Sequence, residues 1–482
     1  MKAKIGLEIH LELNTKSKMF CSCKNFPDDE PNTHVCPICL AHPGTLPLPN
    51  KEAIKKVIKV GKALGSRIRK KVFFERKNYF YPDLPKGYQI SQYRLPLCEG
   101  GKLEIKGSFG EKSIRIRRVH IEEDTAKIYH MGGYVLLDFN RAGVPLMELV
   151  TEPDMESSEE AEVFCKKLKE IFLYLEVSQA EMEKGNLRLE ANVSVEGGER
   201  VEIKNLNSFK ALREAISFEI ERQKELLKKG EKIFQQTRGW DEKKKETVLQ
   251  REKETAKDYR YFFEPDLPPF DLKKEKIIEE IFLPELPWEK EKRFKKEFPF
   301  LEDKKIEILI SKKELSYFFE SAVSEVKNWM KFEKIPQAQE KRIISSLCDF
   351  LLVYLSGTLK KEGIPFEKMK LTPENFAETL IMLWEGKISP HVAKELLSEM
   401  IKKGGDPSEM VKEKGLSLIS EKGMIEKIAL EVINEQKKAV EDCKRGKKTA
   451  LNFLLGKMIQ KTKGKIPPHE AKKILEKLLS EN

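Results

Sequence analysis

The N-terminal segment alternates apolar and polar residues, which is the pattern of a β-strand with one buried face and one polar face. Glu8, His10 and Glu12 fall on the polar face of this predicted strand. The opposite face carries only aliphatic side chains, at Ile5, Leu7, Ile9, Leu11 and Leu13. We therefore predict a strand that belongs to a sheet and presents acids and a histidine on one side.

Short alternating segments recur up to about residue 290, and helical patterns lie between them. The strand-like segments are 102–105, 113–119, 134–139, 188–195 and 200–204. The helical patterns are 51–64, 159–175 and 209–229. Elements in this order are typical of an α+β fold with a mixed or largely antiparallel sheet.

Two proline-rich segments, 264–270 and 283–288, precede a region in which the strand patterns disappear. From there the chain has the pattern of helices, and Gly-Gly-Asp-Pro at 404–407 is typical of a linker. The prediction is a strand-rich domain, an all-α helical domain and an all-α tail domain, with the boundaries 1–292, 293–405 and 406–482.

A chain of 482 residues is too long for one ordinary core. Hydrophobic residues make up 40% and charged residues 35%, which suits a soluble globular protein. Asp349 interrupts the longest apolar stretch, 343–359, so we predict a buried helix there rather than a membrane span. The chain enters a strand pattern at once, without a signal peptide, so we expect a cytoplasmic protein with no membrane association.

The net charge of +11 favours a polyanionic partner. The excess is concentrated near the C-terminus, because residues 441–482 contain 11 Lys or Arg and 5 Asp or Glu. Four lysines cluster there, at Lys457, Lys461, Lys463 and Lys465. They can meet a phosphate backbone, although a solvated lysine face is an equally good interpretation in so lysine-rich a chain.

Two further acids lie in apolar runs, Glu123 in RVHIEED and Glu148 in GVPLMELV. A carboxylate is rarely buried unless something pairs with it. With Glu8 and His10, these acids would suit a divalent cation, which takes carboxylate oxygens and an imidazole nitrogen. This set indicates metal-assisted chemistry on an anionic substrate, whereas the simpler interpretation is the polar face of an ordinary sheet.

Four of the eight cysteines form two close pairs that are separated by twelve residues: Cys21, Cys23, Cys36 and Cys39. Two such pairs on tight turns can place four thiolates tetrahedrally around Zn²⁺, in a closed and therefore structural site at 21–39. The first pair is C-x-C instead of the commoner C-x-x-C, and four unligated thiols are the alternative. Disulfides are not expected in a reducing compartment.

Several polar segments are candidates for binding an anion. Lys77 and Asn78 lie in a loop rich in cations and aromatic residues, and Arg141 precedes a Gly-Val-Pro turn. An arginine suits phosphate or carboxylate, but ordinary exposed loops are equally compatible with both segments. A polar strand face at 188–194 and a polar edge at 202–208 together indicate a concave polar surface.

No GxxxxGK sequence followed by Ser or Thr occurs in the chain, and no GxGxxG turn occurs either. A bound nucleotide would therefore use neither a P-loop nor a dinucleotide-binding fold.

Seven long motifs occur in a fixed order along the first 270 residues. They are GLEIHLELNTKSKMFC, CPICLAHPGTLP, RKNYFYPDLPKGYQISQ, DFNRAGVPLMELVTEPD, GNLRLEANVSV, EIKNLNSFKALREAI and KDYRYFFEPDLPP. In these motifs the chain resembles the GatB family, one of the subunit families of the aspartyl/glutamyl-tRNA amidotransferases. ALNFLLGKMIQKTKGKIPP resembles the YqeY-like tail of that family, so the resemblance spans essentially the whole chain.

The resemblance implies a cradle domain with the active site, a helical domain and a YqeY-like tail, the last two binding tRNA. It implies that ATP, with Mg²⁺, phosphorylates the side-chain carboxylate of misacylated Glu-tRNA(Gln) or Asp-tRNA(Asn). Ammonia then displaces the phosphate. A separate glutaminase subunit supplies the ammonia through an internal passage, and a third, small subunit stabilises the heterotrimer.

By the motif match, His10, Glu123 and Glu148 are the predicted Mg²⁺ ligands, and Arg141 is predicted to contact phosphate. Glu8 is predicted to hold a second metal or to orient a ligand. The rim of the site, its ligand contacts and the passage are predicted at Lys77, Asn78, Lys204, Asn205 and Ser208. Zinc is implied to support the fold, because some family members lack the cysteines.

Two positions depart from the family pattern. Glu190 stands where Asp is expected, which puts a direct metal role for this residue in doubt, and Gln236 stands where an acid often precedes Thr-Arg. Two other functions are kept as alternatives: a non-catalytic tRNA-binding scaffold, and an independent ATP-dependent carboxylate–amine ligase. The basic tail argues against the second.

Overall fold

The computed structural model describes residues 1–252, 259–416, 422–444, 447–462 and 464–481. Two compact units divide the chain, residues 1–286 and 287–482. All described strands lie in the first unit, and the described part of the second unit is helical. The predicted α+β class is confirmed.

The first unit contains seventeen strands among its described residues. They are β1 (Ala3–Glu12), β2 (Arg67–Ile68), β3 (Lys71–Val72), β4 (Glu75–Asn78), β5 (Tyr88–Ser91), β6 (Cys98–Glu99), β7 (Lys102–Gly107), β8 (Gly110–Glu123), β9 (Lys127–His130), β10 (Val135–Asp138), β11 (Pro145–Thr151), β12 (Leu187–Val195), β13 (Val201–Leu206), β14 (Gln236–Asp241), β15 (Glu246–Glu252), β16 (Phe262–Phe263) and β17 (Phe270–Asp271). Its three helices are α1 (Lys51–Ala63), α2 (Ser158–Tyr174) and α3 (Phe209–Lys228).

One large sheet forms the frame of the first unit, in the order β15-β14-β13-β12-β1-β11-β8-β6-β2, with β7 paired to β8. Its strand pairs are antiparallel except β13 with β14. The aliphatic face of β1 is buried, as the alternating pattern predicts. The polar face of β1 therefore lies near the middle of the sheet, between β11 and β12.

The second unit is built from twelve helices among its described residues: α4 (Pro287–Glu297), α5 (Asp303–Ile310), α6 (Lys313–Phe332), α7 (Glu340–Asp349), α8 (Ser356–Glu362), α9 (Pro373–Trp384), α10 (Pro390–Lys403), α11 (Pro407–Glu413), α12 (Lys422–Glu435), α13 (Lys437–Lys444), α14 (Lys448–Lys461) and α15 (Pro468–Glu481). Short 3₁₀ turns occur at Gln337–Gln339 and Phe366–Lys368, and a π-helical segment occurs at Phe350–Leu355.

Two hydrophobic cores lie within the second unit. The larger core runs from Phe294 to Leu416, and the smaller one runs from Ile425 to Leu475. Val411 belongs to the larger core although it follows the predicted boundary at 405/406. The predicted division of this unit into a helical domain and a tail domain therefore remains a prediction.

By length and composition alone, the helical stretch Gln337–Glu362 is apolar enough to cross a membrane. This is weak support for a span, because a core helix passes the same test. Its residues Ile344, Leu347 and Leu351 are buried in the larger core of the second unit. Their burial agrees with the predicted buried helix.

The lysine cluster of the tail is only partly free for a ligand. Lys461 Nζ lies 2.9 Å from Glu431 and 2.6 Å from Glu435, and Lys463 lies outside the described residues. The predicted contact of this cluster with a phosphate backbone stays a prediction.

A close helix–sheet contact leads to the first testable prediction. A Cβ atom at Gly61 of α1 would lie 2.5 Å from Cys98 Sγ and 3.1 Å from Ile68 Cδ1. We expect Gly61→Ala to lower the free energy of unfolding by about 1–3 kcal/mol, because the packed core must shift. Gly357→Ala in α8 is the control, since no atom lies within 4 Å of its Cβ position. It should be neutral or stabilising by up to about 1 kcal/mol. Urea unfolding of both variants measures the difference, and equal effects would contradict the packing argument.

Candidate active site

The register of three neighbouring strands brings the polar residues together. His10 of β1 lies opposite Glu148 of β11, and Glu148 lies opposite His120 of β8. On the other side of β1, His10 lies opposite Arg188 of β12. Because side chains alternate along each strand, these residues all project from one face of the sheet.

His10, Glu122 and Glu148 form a compact group whose ligand atoms lie within 4.8 Å of one another. His10 Nε2 is 3.5 Å from Glu148 Oε2, and His120 Nε2 is 3.4 Å from the same oxygen. Among the described residues, the buried His120 Nδ1 has no hydrogen-bond partner. Glu122 Oε1 lies 3.3 Å from His120 Nε2 but accepts no well-aligned hydrogen bond. A divalent cation fits this donor set, because it would complete the coordination of this buried carboxylate oxygen.

The charges in this group are strongly coupled. Burial opposes ionisation of Glu148, but His120 and hydrogen bonds from its neighbours hold the pKa of Glu148 well below its usual range. Burial, and then the charge of Glu148, raise the pKa of Glu122. Burial disfavours charged His10 as well, yet its hydrogen bond with Glu148 and the charges of the surrounding glutamates together outweigh this and raise the pKa of His10 to about 9. The group thus retains protons that a bound cation would displace.

Glu123 does not join this group, which corrects the predicted set. Its carboxylate pairs with Lys86 at 2.5 Å and accepts a hydrogen bond from the Ile90 N–H at 2.9 Å. The reason is the strand period of two, since consecutive residues of β8 project to opposite faces. The sequence reasoning missed Glu122. The alternation of Arg118, His120 and Glu122 was a signal that could have found it.

A second acidic group contains Glu8, Glu190 and Glu202, again with ligand atoms within 4.8 Å. Lys204 Nζ donates to Glu190 at 2.9 Å and lies 3.6 Å from Glu202. Glu8 Oε1 accepts a hydrogen bond from Asn192 Nδ2 at 2.9 Å. Burial, followed by Glu148 and Glu190, raises the pKa of Glu8. Of the predicted rim residues, Lys204 therefore lies in this group.

Asn205 and Ser208 have local structural roles. Asn205 adopts a left-handed conformation, with φ of 64°. Ser208 is the N-cap of α3, and its side chain accepts a hydrogen bond from the Ala211 N–H at 3.0 Å. Neither residue is part of the two acidic groups.

Lys77 interacts electrostatically with Glu122 and Glu148, whereas Asn78 holds a neighbouring loop. Burial works against the charge of Lys77, but Glu122 and other groups around it outweigh this effect and raise the pKa of Lys77. Asn78 Nδ2 donates to the Tyr259 carbonyl at 3.3 Å and to the Arg260 carbonyl at 2.9 Å. Lys77 is thus a cation close to the site.

Arg141 is engaged with the protein backbone. Its Nε donates to the Thr125 carbonyl at 3.0 Å, and its Nη2 donates to the Ala126 carbonyl at 3.1 Å. It also lies 3.7 Å from Asp124, which forms a close ion pair with Arg188. These contacts fix the loop before β11, and the predicted phosphate contact of Arg141 stays a prediction.

Cys21, Cys23, Cys36 and Cys39 come together with their sulfur atoms within 4.8 Å of one another. Cys36 Sγ and Cys39 Sγ are 3.9 Å apart, close to the roughly 3.8 Å expected for two thiolates on one tetrahedral Zn²⁺. Lys18 is completely buried, 3.7 Å from Cys39 Sγ. A hydrogen bond from Cys21, together with Lys18, lowers the pKa of Cys39 to about 4. This donor set is suited to a metal.

The comparisons with known proteins decide the family. A family model described as the GatB/GatE catalytic domain matches residues 3–278, and one described as a GatB domain matches residues 330–479. The chain belongs to the GatB family. The resemblance seen in the motifs is thereby confirmed.

Three GatB relatives illustrate the similarity, each with 98% of both chains covered. The aspartyl/glutamyl-tRNA(Asn/Gln) amidotransferase subunit from Thermotoga maritima is 45% identical. The proteins of the same name from Persephonella marina and Thermus thermophilus are 44% and 42% identical. The family is therefore one of enzymes that carry out tRNA-dependent amidation.

One acid near this site should make stability depend on pH. Burial, and then Asp124, raise the pKa of Glu12 to about 8, from 4.5 as the ordinary value. The folded state thus keeps a proton that the unfolded chain releases above pH 4.5. Stability should fall by up to about 1.4 kcal/mol per pH unit between pH 4.5 and 8, and then level off.

Glu12→Gln removes this titration, so its unfolding free energy relative to the unsubstituted chain should rise over the same pH range. Urea unfolding at several pH values measures the trend. Glu111→Gln is the control, because Glu111 is 75% exposed and pairs with the exposed Lys106. A pH-independent difference for Glu12→Gln would contradict the assignment.

Proposed function

We propose that this chain is the subunit of a tRNA-dependent amidotransferase that activates the side-chain carboxylate of misacylated Glu-tRNA(Gln) or Asp-tRNA(Asn). The observation that carries the proposal is the buried group of His10, Glu122 and Glu148, in a chain that aligns with the named amidotransferase subunits along nearly its whole length. A carboxylate oxygen is a poor leaving group, so amide formation needs prior activation.

The reaction has two steps. A carboxylate oxygen of the aminoacyl group attacks the γ-phosphorus of ATP, and the P–O bond to ADP breaks with its electron pair. Ammonia then attacks the acyl carbon, loses a proton, and the C–O bond breaks to release phosphate and leave the amide. Protein catalysis of such a transfer is mainly positioning and charge neutralisation.

His10, Glu122 and Glu148 would hold Mg²⁺, which would supply positive charge to neutralise phosphate oxygens. Arg118 and Lys77 bring further positive charge to the same face, and Arg118 Nη2 lies 3.7 Å from Glu148. The chain can thus hold an anionic nucleotide beside an anionic carboxylate. Arg141 contributes by fixing the loop that leads into β11.

The second acidic group suits a supporting role better than a second full metal site. Lys204 already pairs with Glu190 and lies 3.6 Å from Glu202, and Thr237 donates to Glu202 at 2.9 Å. Glu190 stands where Asp is expected, and its longer side chain reaches Lys204. We propose that Glu8 alone keeps a carboxylate available toward the site.

The remaining parts of the proposal concern ATP, partners and location. The family supports ATP as the phosphoryl donor. The relatives are named as subunits, which supports a complex. In it we propose a glutaminase subunit, a small stabilising subunit and misacylated tRNA as partners. The net charge of +11 suits a tRNA ligand.

An acyl phosphate must be kept from water, so we propose that ammonia arrives through a closed passage. We also propose that the protein is located in the cytoplasm.

Zinc is proposed as a structural ion at the four cysteines. All four ligands come from the protein, so no position is open for a substrate. The site lies next to the loop before β11, because the His34 N–H donates to Asn140 Oδ1 at 2.8 Å and Lys18 Nζ donates to the Phe139 carbonyl at 2.9 Å. Zinc would therefore stabilise the loop that leads into β11 and Glu148, without taking part in the reaction.

Metal analysis tests the zinc proposal. Freshly purified protein should contain about one Zn²⁺ per chain, and Cys36→Ser should lose most of it because only three thiolates remain. Cys98→Ser is the matched control: Cys98 is buried, 3.8 Å from the Val57 carbonyl, and should leave the zinc content unchanged. A zinc-free native protein would refute the proposal.

Single carboxylate substitutions test the site. Glu148→Gln and Glu122→Gln should each reduce ADP formation with misacylated Glu-tRNA by about 100-fold or more, because each removes a metal ligand. Glu123→Gln should retain metal-dependent ADP formation, since Glu123 pairs with Lys86 outside the group. The assay uses the chain assembled with its glutaminase and small partner subunits, and glutaminase activity should persist in every variant.

The same assay separates the alternatives. A scaffold without catalytic function would bind tRNA but form no ADP in any assembly. An independent ligase would form ADP with a small carboxylate substrate and would not need the tail. Full ADP formation by Glu148→Gln would refute the site assignment itself.

A further inference from the structure

We propose that the second acidic group, Glu8, Glu190 and Glu202, binds the α-ammonium group of the aminoacyl residue on the tRNA, and that Glu8 and Asn192 contact it. The inference rests on the proposed function, because that function makes a misacylated tRNA the substrate. Such a substrate has two charged ends, the α-ammonium and the side-chain carboxylate that is phosphorylated. The metal-binding acids serve the carboxylate, so the ammonium needs hydrogen-bond acceptors of its own.

An unpaired amide oxygen is buried beside this acidic group. Asn192 of β12 is only 8% exposed, and its Nδ2 donates to Glu8 Oε1 at 2.9 Å. This hydrogen bond fixes the orientation of the amide, because an amide oxygen cannot donate to a carboxylate. Asn192 Oδ1 has no hydrogen-bond partner in the part of the chain that the structure describes. Buried polar atoms are normally paired, so this oxygen indicates a ligand that donates a hydrogen bond.

The strand register leaves Asn192 accessible to a ligand. Its neighbour across the sheet on β1 is Gly6, which has no side chain to cover the amide. Gly6, Glu8 and Asn192 line a cavity of about 320 Å³. A Cβ atom at Gly6 would meet Pro153 at 3.7 Å, an ordinary contact distance, so packing does not require a glycine here. The glycine instead leaves room beside Asn192.

The charges within the group favour an ammonium over a second divalent cation. Lys204 Nζ already donates to Glu190 at 2.9 Å and lies 3.6 Å from Glu202. The positive charge of Lys204 repels a dication more strongly than it repels a monovalent ammonium. Glu8 and Asn192 then remain as acceptors, and they match two of the three N–H donors of an ammonium.

Four cations also line the cavity, and they do not cancel this preference. Three of them, Lys4, Arg117 and Arg200, are exposed, so water and salt screen their charge. The fourth, Arg118, lies 3.7 Å from Glu148, which offsets its charge. The second acidic group therefore remains the part of the cavity in which a cation is stabilised.

The spacing of the two acidic groups matches the length of one aminoacyl residue. Glu8 and His10 are two positions apart on the same face of β1, about 7 Å at the rise of a strand. Standard bond lengths put the α-nitrogen and the side-chain carboxylate oxygens about 4–6 Å apart in an aspartyl or glutamyl group. An ammonium at Glu8 thus leaves the carboxylate within reach of the metal-binding acids. Attachment at two points would orient the oxygen that attacks the phosphorus.

A substrate without the ammonium tests the inference on the unsubstituted protein. In tRNA(Gln) acylated with 2-hydroxyglutarate, a hydroxyl of similar size replaces the α-ammonium. With ATP, MgCl₂ and the glutaminase and small partner subunits, kcat/KM for ADP formation should be about 100-fold lower than with Glu-tRNA(Gln), the effect of losing two charge-assisted contacts. N-methylglutamyl-tRNA(Gln) is the control for bulk, and it should react far better because it keeps the charge. Equal kcat/KM for the hydroxyl substrate and Glu-tRNA(Gln) would overturn the inference.

Substitutions test the assignment to Glu8 and Asn192. Glu8→Gln and Asn192→Ala should each reduce the preference for Glu-tRNA(Gln) over the hydroxyl substrate from about 100-fold to about tenfold, because each removes one contact. Glu196→Gln is the matched control, since Glu196 is an exposed glutamate directly after β12 and should leave the full preference.

The ratio of the two substrates separates this role from others. If Glu8 held a metal instead, Glu8→Gln would slow both substrates equally and leave their ratio unchanged, and that result in both variants would overturn the inference. Absence of ADP with Glu-tRNA(Gln) in the unsubstituted assembly would refute the proposed function, and the inference with it. ADP formation without a preference for Glu-tRNA(Gln) would refute the inference alone.

Discussion

The antiparallel register of β1 against β11 is the constraint on which the candidate site depends. It sets His10 opposite Glu148, and the pairing of β11 with β8 adds His120 on the same face. A slip of one residue would send every one of these side chains to the opposite face, because the side-chain period of a strand is two. The buried aliphatic face of β1 prevents that slip, since it would expose Ile5, Leu7 and Ile9 to the polar side. The hydrophobic core and the polar site are thus specified by the same alternation.

Burial of several acids on one face requires compensating charge. Burial, and then the charge of Glu148, raise the pKa of Glu122, whereas His120 and hydrogen bonds from its neighbours overcome burial and hold the pKa of Glu148 low. His10, His120 and Arg118 provide part of the compensation. The remaining negative charge fits a divalent cation. The second acidic group takes much of its compensation from Lys204 instead.

Parts of the chain that are far apart in sequence hold the edges of this site. The cysteine segment is tied through Asn140 and Lys18 to the loop before β11, and the Arg141 guanidinium fastens that same loop to residues 125 and 126. On the opposite side, β1 separates from β11 beyond the pair of Glu8 and Val150, and Ile5 next bridges Met155.

The sequence by itself determined the strand β1 and its two faces, the α+β class, the helical second half, the four-cysteine set and the family. These follow from local periodicity, from cysteine spacing and from long motifs, and none requires knowledge of distant contacts. Only the tertiary structure decided that Glu122 and not Glu123 joins His10 and Glu148, because the choice depends on which face of β8 meets β11. It also decided that Lys204 pairs with Glu190 and that Arg141 bonds to the backbone. The local pattern of one segment does not specify the cross-strand register or the loop contacts that bring such residues together. These tertiary contacts decide which acid lies close enough to His10 and Glu148 to share a metal site with them.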